Sequence, residues 1–287
     1  MRFLGFGKET GDGGSSNSDF FKARQQQYSF TPTLSIPLVR NLTLHAGPTM
    51  EYASNTLKAD KTLINRVRPY GYGNFGEVGA SAVLALDTRR AADKTAGGIA
   101  LRSFGYPRAG TLVPVRGLFP KAWDVKDRFG SVKGSATTYL TPGSDRAPTL
   151  ALRVGGEKVF GTYPYFEAAY LGGGSGRIGA TGSDDPLRGL QRQRYAGDAS
   201  LFGSADLRLY VSRFRLFLPG TWGLLAFGDV GRVYLGGEDS NKWHDGYGGG
   251  LWFAWLDRAN TVTASYGRSE KHKRVLRAGW LCLLKAA

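Results

Sequence analysis

A two-residue rhythm of apolar side chains constrains this chain more than any other feature. Successive side chains of an extended strand point to opposite faces, so apolar residues at every second position mark a strand with one apolar face. The rhythm appears at Arg2–Lys8 and again at Tyr28–Leu38, where Tyr28, Phe30, Leu34, Ile36 and Leu38 share a face. Leu42–Tyr52 follows, with Leu42, Leu44, Ala46, Met50 and Tyr52 together, then Glu77–Asp87 with Val78, Ala80, Leu84 and Leu86. Further stretches lie at Gly98–Tyr106, Val132–Leu140, Thr149–Gly155, Ser204–Ser212, Trp222–Tyr234, Gly248–Leu256, Thr261–Gly267 and Val275–Cys282. About twelve strands are expected, many near the roughly 9–11 residues that cross a bilayer at a tilt and longer than the roughly 5–6 typical of soluble sheets.

The connections carry a second regularity. Long ones near 9–20, 54–74, 107–129, 156–197 and 236–246 alternate with shorter ones at 39–41, 88–97, 142–148, 213–220 and 257–260. Outer-membrane barrels place long loops on one side of the membrane and short turns on the other, whereas a soluble β-sandwich has no reason to keep that parity. Tyr247, Leu251, Phe253 and Trp255 on one face, against Gly248, Gly250 and Trp252 on the other, suit a wall with lipid outside and small residues inside. A soluble sandwich burying the same stripe is the competing reading. The 42 glycines and 13% aromatics fit many strands joined by glycine-rich turns. No apolar run approaches the roughly 20 residues of a membrane-spanning helix. The fold expected is therefore all-β, an antiparallel transmembrane barrel.

Other readings of the composition fall away in context. A net charge of +15 raises nucleic acid as a partner. But Arg24, Arg102, Arg153, Arg208 and Arg277 are spread over alternating strands, where a wet inner face can hold them, and no nucleic-acid partner is expected. Met1–Gly5 reaches glycine and charge too early for a signal-peptide core, and the single cysteine, Cys282, excludes an internal disulfide framework. Gly71–Gly76 matches the G-x-G-x-x-G pattern, yet strand-like sequence follows it where a dinucleotide site needs a helix. His45, His244 and His272 have no metal-ligand spacing and are expected as exposed loop or strand-end residues. A barrel hydrolase needs a serine, a histidine and an amide or acid together, and nothing local singles out Ser265 or His45 for such roles. Neither catalytic residues nor a cofactor is expected.

The C-terminal half carries a more specific pattern. Leu187-Arg188-Gly189-Leu190, Arg194–Asp198 and Ala205–Leu209 come first; Phe227–Val233, Gly246–Leu251 and Ser265–Ser269 follow in that order. These blocks and their spacing resemble the BamA/TamA-like bacterial surface antigen barrels over roughly 148–282, and Leu86–Arg89 upstream is similar as well. The resemblance implies a sixteen-strand family barrel, with the loop at 156–197 as its sixth outer loop and Leu187–Leu190 as the loop motif tucked into the lumen. On that register Arg2–Lys8 is the fifth strand and Val275–Cys282 the sixteenth. The chain, 1–287, then reads as one barrel domain that lacks four N-terminal strands.

The family also implies a function: insertion or translocation of proteins at the bacterial outer membrane. Its partners would be outer-membrane lipid and lipopolysaccharide, client outer-membrane or secreted proteins, and periplasmic domains or accessory proteins. A passive channel, or an anchor for an upstream enzymatic domain such as a metallophosphoesterase, is the alternative. Two features depart from the family pattern: Leu190 stands where an aromatic is usual, and Cys282 replaces the terminal aromatic. Gly279 falls at the position associated with a kink in the last strand, where a missing side chain weakens strand order. The loop motif has a physical sense of its own. Arg188 offers a planar, permanently charged fork, and Gly189 frees the backbone to aim it. Its expected partner is a wall carboxylate, Asp229 first and Asp206 second, because an acid in those strands is unfavourable against lipid and acceptable in the lumen. Arg192 is expected nearer solvent.

Overall fold

Chains whose strands are joined by short connections pair each strand with its sequence neighbours, antiparallel. The computed structural model describes residues 5–6, 20–21, 23, 25–55, 62–88, 98–104, 110–113, 128–141, 147–171, 187–188, 194–216, 218–238, 241–255, 260–269 and 272–282. Its first strands, β1 (Gln25–Phe30) and β2 (Leu34–Val39), pair with successive parts of β3 (Leu42–Asn55). A five-residue helix, α1 (Leu63–Val67), precedes β4 (Asn74–Asp87). Next, β5 (Gly98–Phe104) and β6 (Gly110–Val113) both lie between β4 and β7 (Arg128–Leu140), which pairs with β8 (Thr149–Gly161). Two short strands, β9 (Ala169–Leu171) and β10 (Tyr195–Gly197), form a separate two-stranded sheet. The main sheet resumes with β11 (Ala199–Leu216), β12 (Leu218–Tyr234), β13 (His244–Trp255), β14 (Asn260–Ser269) and β15 (His272–Cys282). The path through this sheet has eleven strands, all antiparallel. Among the described residues, β1 and β15 each have one neighbour on that path.

The strands expected from Tyr28 onward are present but differ in extent. Tyr28–Leu38 is not one strand: it breaks at Thr31-Pro32-Thr33, where proline has no N–H to give a ladder. The break bows over Gly47, where a Cβ would stand 1.9 Å from the Pro32 carbonyl oxygen. Most other strands run longer than the alternation indicated. Ser204–Ser212 becomes the 18-residue β11, and most of the turn expected at 213–220 belongs to β11 and β12. The loop expected at 156–197 spans 162–198, because β8 continues to Gly161 and β11 starts at Ala199. The strand expected at Arg2–Lys8 lies outside the described residues except at residues 5 and 6.

Two faces result. On β12, Leu225, Phe227, Asp229 and Val233 are buried while Leu224, Val230 and Tyr234, at the alternate positions, are exposed. Tyr28, Phe30, Leu34, Met50, Leu152, Val154, Leu207, Leu209, Tyr247 and Leu251 extend this exposed apolar face across the sheet. Burying such side chains is worth roughly 1.5–3 kcal/mol each, so an apolar face this wide calls for an apolar surround. Tyr28, Phe30 and Leu34 are each more than 60% exposed, which no dry second layer would leave. The other, inner face is covered by α1 and by the described parts of the 162–198 connection, 162–171, 187–188 and 194–198. Its core gathers Ala53, Ile64, Phe75, Phe129, Val159, Tyr165 and Phe166. Arg153 and Arg208 lie inward, each between two outward apolar residues; Arg153 sits 5.1 Å over the Phe202 ring.

Candidate functional site: a loop packed against the inner wall

A connection of this length ordinarily stays at the surface, because buried backbone must find partners and ordered residues lose entropy. Here the connection holds most of the largest fully buried side chains: Pro164, Tyr165, Phe166, Leu171, Leu187 and Tyr195. Its backbone is tied to the wall. Thr162 N–H donates to Arg128 O at 3.2 Å, Tyr165 N–H to Tyr70 O at 3.0 Å and Asp198 N–H to Tyr234 O at 2.7 Å. The 3-10 turn Tyr165–Glu167 sets Tyr165 against β3, where its hydroxyl donates to Asn55 Oδ1 at 2.9 Å. Tyr163 donates to Asp198 Oδ1 at 2.5 Å, and the same carboxylate accepts the Gly236 N–H at 2.7 Å. Asp198 thereby ties the loop to the turn after β12. Burial first, and then the neighbouring Asp198, holds the Tyr163 hydroxyl well above the usual tyrosine range. Burial does the same to Tyr165 and Tyr170.

Arg188 lies at the centre of this packing. Asp229 is fully buried on β12, and Arg188 grips it with two side-chain bonds, Nε to Oδ2 at 3.0 Å and Nη2 to Oδ1 at 2.8 Å. The backbone N–H of Arg188 adds a third bond to Oδ2 at 2.5 Å. Asp206 on β11 forms an ion pair with the same Nη2, and the guanidinium lies 4.0 Å over the Phe227 ring. Burial alone would lower the Arg188 pKa, but the hydrogen bonds to Asp229 and Asp206 and their charges raise it above its ordinary value. A planar fork meeting one carboxylate two-fold while stacking on an aromatic is a geometry only arginine supplies. Leu187, beside it, is fully buried with Leu171, Tyr195, Phe202 and Val233.

Of the residues singled out in the sequence, the structure brings Leu187, Arg188, Asp229 and Asp206 together. Gly189, Leu190 and Arg192 lie outside the described residues. Gly279 pairs with Thr263, and the register between β14 and β15 shifts between Gly267 and Ser269. His244 corrects an expectation: it is 4% exposed, not an exposed strand-end residue, and stacks on Tyr195 at 3.7 Å. The alternation of β13 places it on the inner face, where the loop covers it. Gly71 and Gly73 take positive φ in the turn before β4, with a strand after them and no nucleotide-binding helix. His45 meets Ser35 at 2.8 Å, and Ser265 is buried on β14.

Three contributions went unseen. Phe227, part of the Phe227–Val233 block, stacks on Arg188. Gly231 leaves the space that Leu171 and Leu187 occupy: a Cβ there would lie 2.7 and 2.9 Å from their Cδ1 atoms. The glycine between two inward residues of β12 was the available signal. Glu51, Glu77 and Glu167, on β3, β4 and the loop, bring carboxylate oxygens within 4.8 Å of one another in buried positions. Carboxylates so placed have the chemistry of a hard-cation site. Each has further polar or electrostatic partners, including the Gln27 amide that donates to Glu51, and the cluster reads as part of a buried polar network.

No protein-family model and no curated protein sequence matches the chain. Among solved structures it is similar to BamA from Haemophilus ducreyi lacking POTRA domains 1–3, with a TM-score of 0.55 and 14% identity. The match covers 89% of this chain and 53% of that one, so the chain spans about half the length of that structure. At this identity the likeness concerns the fold: the chain has a BamA-like antiparallel β-barrel fold. No described helix is long and apolar enough to cross a membrane.

Proposed function

We propose that this chain is the barrel portion of an outer-membrane protein that inserts or translocates other proteins, non-catalytic, with its lumen filled by the 162–198 connection. The observation that carries the reading is the clamp of Arg188 on the buried Asp229, which fastens a long loop to the inside of a sheet whose outside is apolar. A sheet crossing lipid must leave no backbone edge unsatisfied, so its strands belong to a closed wall with the apolar face outward. The sixteen-strand register follows from the family resemblance, as do the client proteins, the accessory periplasmic domains and a last strand weakened at Gly279. In this reading clients meet an edge strand by β-augmentation. The plug keeps the lumen shut meanwhile.

The inner packing disfavours the alternative of a passive channel. Tyr165, Tyr195, Leu187 and Leu171 are buried there, and a conducting pore needs that volume wet. Reconstituting the full-length protein in liposomes and following a denatured outer-membrane client by its protease protection tests the proposal. Faster client folding than in empty liposomes supports it. An unchanged rate together with steady ion conductance would establish the channel instead.

A further inference from the structure

A depression on the outer face lies apart from the plug. A groove of about 780 Å³ crosses β7, β8, β11, β12 and β13. Two outward rows of side chains border it. One runs through Ala136, Val154, Gly203 and Val230, the other through Thr138, Leu152, Ala205, Gly228 and Tyr247, and the backbone of the inward row between them makes its floor. Its middle is low because Gly203, Ala205 and Gly228 are small, and a Cβ on Gly228 would meet nothing within 4 Å. Leu152 and Val154 flank it on β8, and Val230 and Tyr247, both exposed, flank it on β12 and β13. Five strands at roughly 4.8 Å spacing give it a length of about 19 Å, the dimension of an extended hydrocarbon chain.

Above Tyr247 the chemistry changes. Arg232, the next outward residue of β12 after Val230, lies 4.5 Å over the Tyr234 ring and 5.9 Å from the Trp243 ring. Its Nη2 donates to Asn241 Oδ1 at 2.8 Å. Lys158 on β8 stands outward near the same strand ends, 5.8 Å over the Phe160 ring. Tyr234 ends β12 and His244 begins β13, so this group sits at the rim bearing the long connections. Aromatic rings with cations at a strand rim occupy headgroup depth in a membrane wall, and arginine meets phosphate two-fold. Asp245, beside Val230 in register, is the opposing charge.

We propose that this groove and rim form a binding site for one phosphorylated, multiply acylated glycolipid of the lipid A type. Acyl chains lie in the groove, and phosphate meets Arg232 and Lys158. The inference rests on the outer-membrane reading above. Two cations two strands apart suit a headgroup with more than one phosphate, and the exposed ring of Trp243 offers a flat face to a sugar.

The test reconstitutes the full-length protein in phosphatidylcholine nanodiscs doped with equal lipid A and phosphatidylglycerol. Mild detergent then strips bulk lipid, and mass spectrometry counts what each barrel retains. Wild type is expected to keep lipid A in preference to phosphatidylglycerol. The Arg232→Ala/Lys158→Ala pair should lower that retention about tenfold, the scale of lost charge-assisted bonds. Gly228→Leu, whose Cβ would meet nothing within 4 Å and whose side chain would stand in the groove, should lower it comparably, and Asp245→Asn should raise it. Equal retention of both lipids, or variants indistinguishable from wild type, overturns the site while leaving the barrel reading intact, provided protease protection shows integration. If wild type integrates into no nanodisc, the outer-membrane reading fails and this inference falls with it.

Discussion

Replacing Arg188 by alanine removes the loop's grip on a carboxylate that has no solvent to retreat to. At about 3 Å and an effective dielectric of roughly 20, the gross attraction between the two charges is about 5 kcal/mol. Desolvation offsets part of it in the native pair, but a variant that strands Asp229 inherits the desolvation without the partner. Breaking a buried pair in this way costs about 3–5 kcal/mol. Arg188 is 20% exposed, and the backbone N–H at position 188 still donates to Asp229, so the lower end applies. A cost of about 3 kcal/mol is roughly a 150-fold change in the docking equilibrium of the loop. Hydrogen exchange of the full-length protein in lipid reads this directly in peptides covering 162–171 and 194–198. Arg188→Ala should lose about two orders of magnitude of protection there, and Arg213→Ala, on the exposed end of β11, less than about threefold. The Arg188→Ala/Asp229→Ala double variant should be less destabilised than the sum of the singles, because neither charge is then stranded. A loss under tenfold for Arg188→Ala, or additive singles, refutes the anchoring argument.

The other predictions concern the same packing. Asp229→Asn should loosen the loop more than Asp206→Asn, since Asp229 is fully buried with three bonds from Arg188 whereas Asp206 is 18% exposed; exchange protection checks the order. Gly231→Val should displace Leu171 and Leu187 and lower loop protection by more than Gly228→Val, whose side chain faces open space on the opposite face. Tyr165→Phe should cost about 1–2 kcal/mol by leaving Asn55 Oδ1 without its donor, measured by chemical denaturation. The raised hydroxyls of Tyr163, Tyr165 and Tyr170 favour the folded state while protonated. Loop docking should therefore be indifferent to them below the ordinary tyrosine pKa of about 10 and weaken as pH rises past it. Phenylalanine at Tyr163 should flatten that alkaline limb.

Strand periodicity was legible because each wall strand has one apolar face and one mixed face, and the mixed face holds the charges. Val78, Ala80, Leu84 and Leu86 could be assigned to one side from spacing alone, as could Leu42, Leu44 and Met50. Strand ends were not legible. Beyond the apolar belt the rim residues of β8 and β11 still alternate in burial, but apolar side chains stand on both faces, Val159 and Phe202 inward and Phe160 and Leu201 outward, so Glu157–Gly161 falls in the expected loop and Ala199–Gly203 outside the expected strand. Pro32 was visible, but a proline at an edge strand is compatible with pairing, and only the close approach to Gly47 shows a break. Within the site, the Arg188–Asp229 pairing could be argued from charge and alternation. The burial of Tyr165, Phe166 and Tyr195 could not, because a loop that folds back into the lumen has no periodicity of its own. Nor could His244 be placed, since its environment is made by Tyr195, 49 positions away.

The central claim, that the exposed apolar face meets lipid while the opposite face holds a packed loop, is tested most directly by accessibility of single spin labels in bilayers. With Cys282 replaced by serine, cysteines are introduced one at a time at Leu207, Leu224 and Leu251 on the outer face and at Asp198 in the loop. Labels at the three outer sites should collide readily with oxygen dissolved in lipid and little with a water-soluble nickel chelate, and the label at 198 should show the reverse. Outer sites that meet the chelate as freely as residue 198 would contradict the membrane wall, and with it the function built on it.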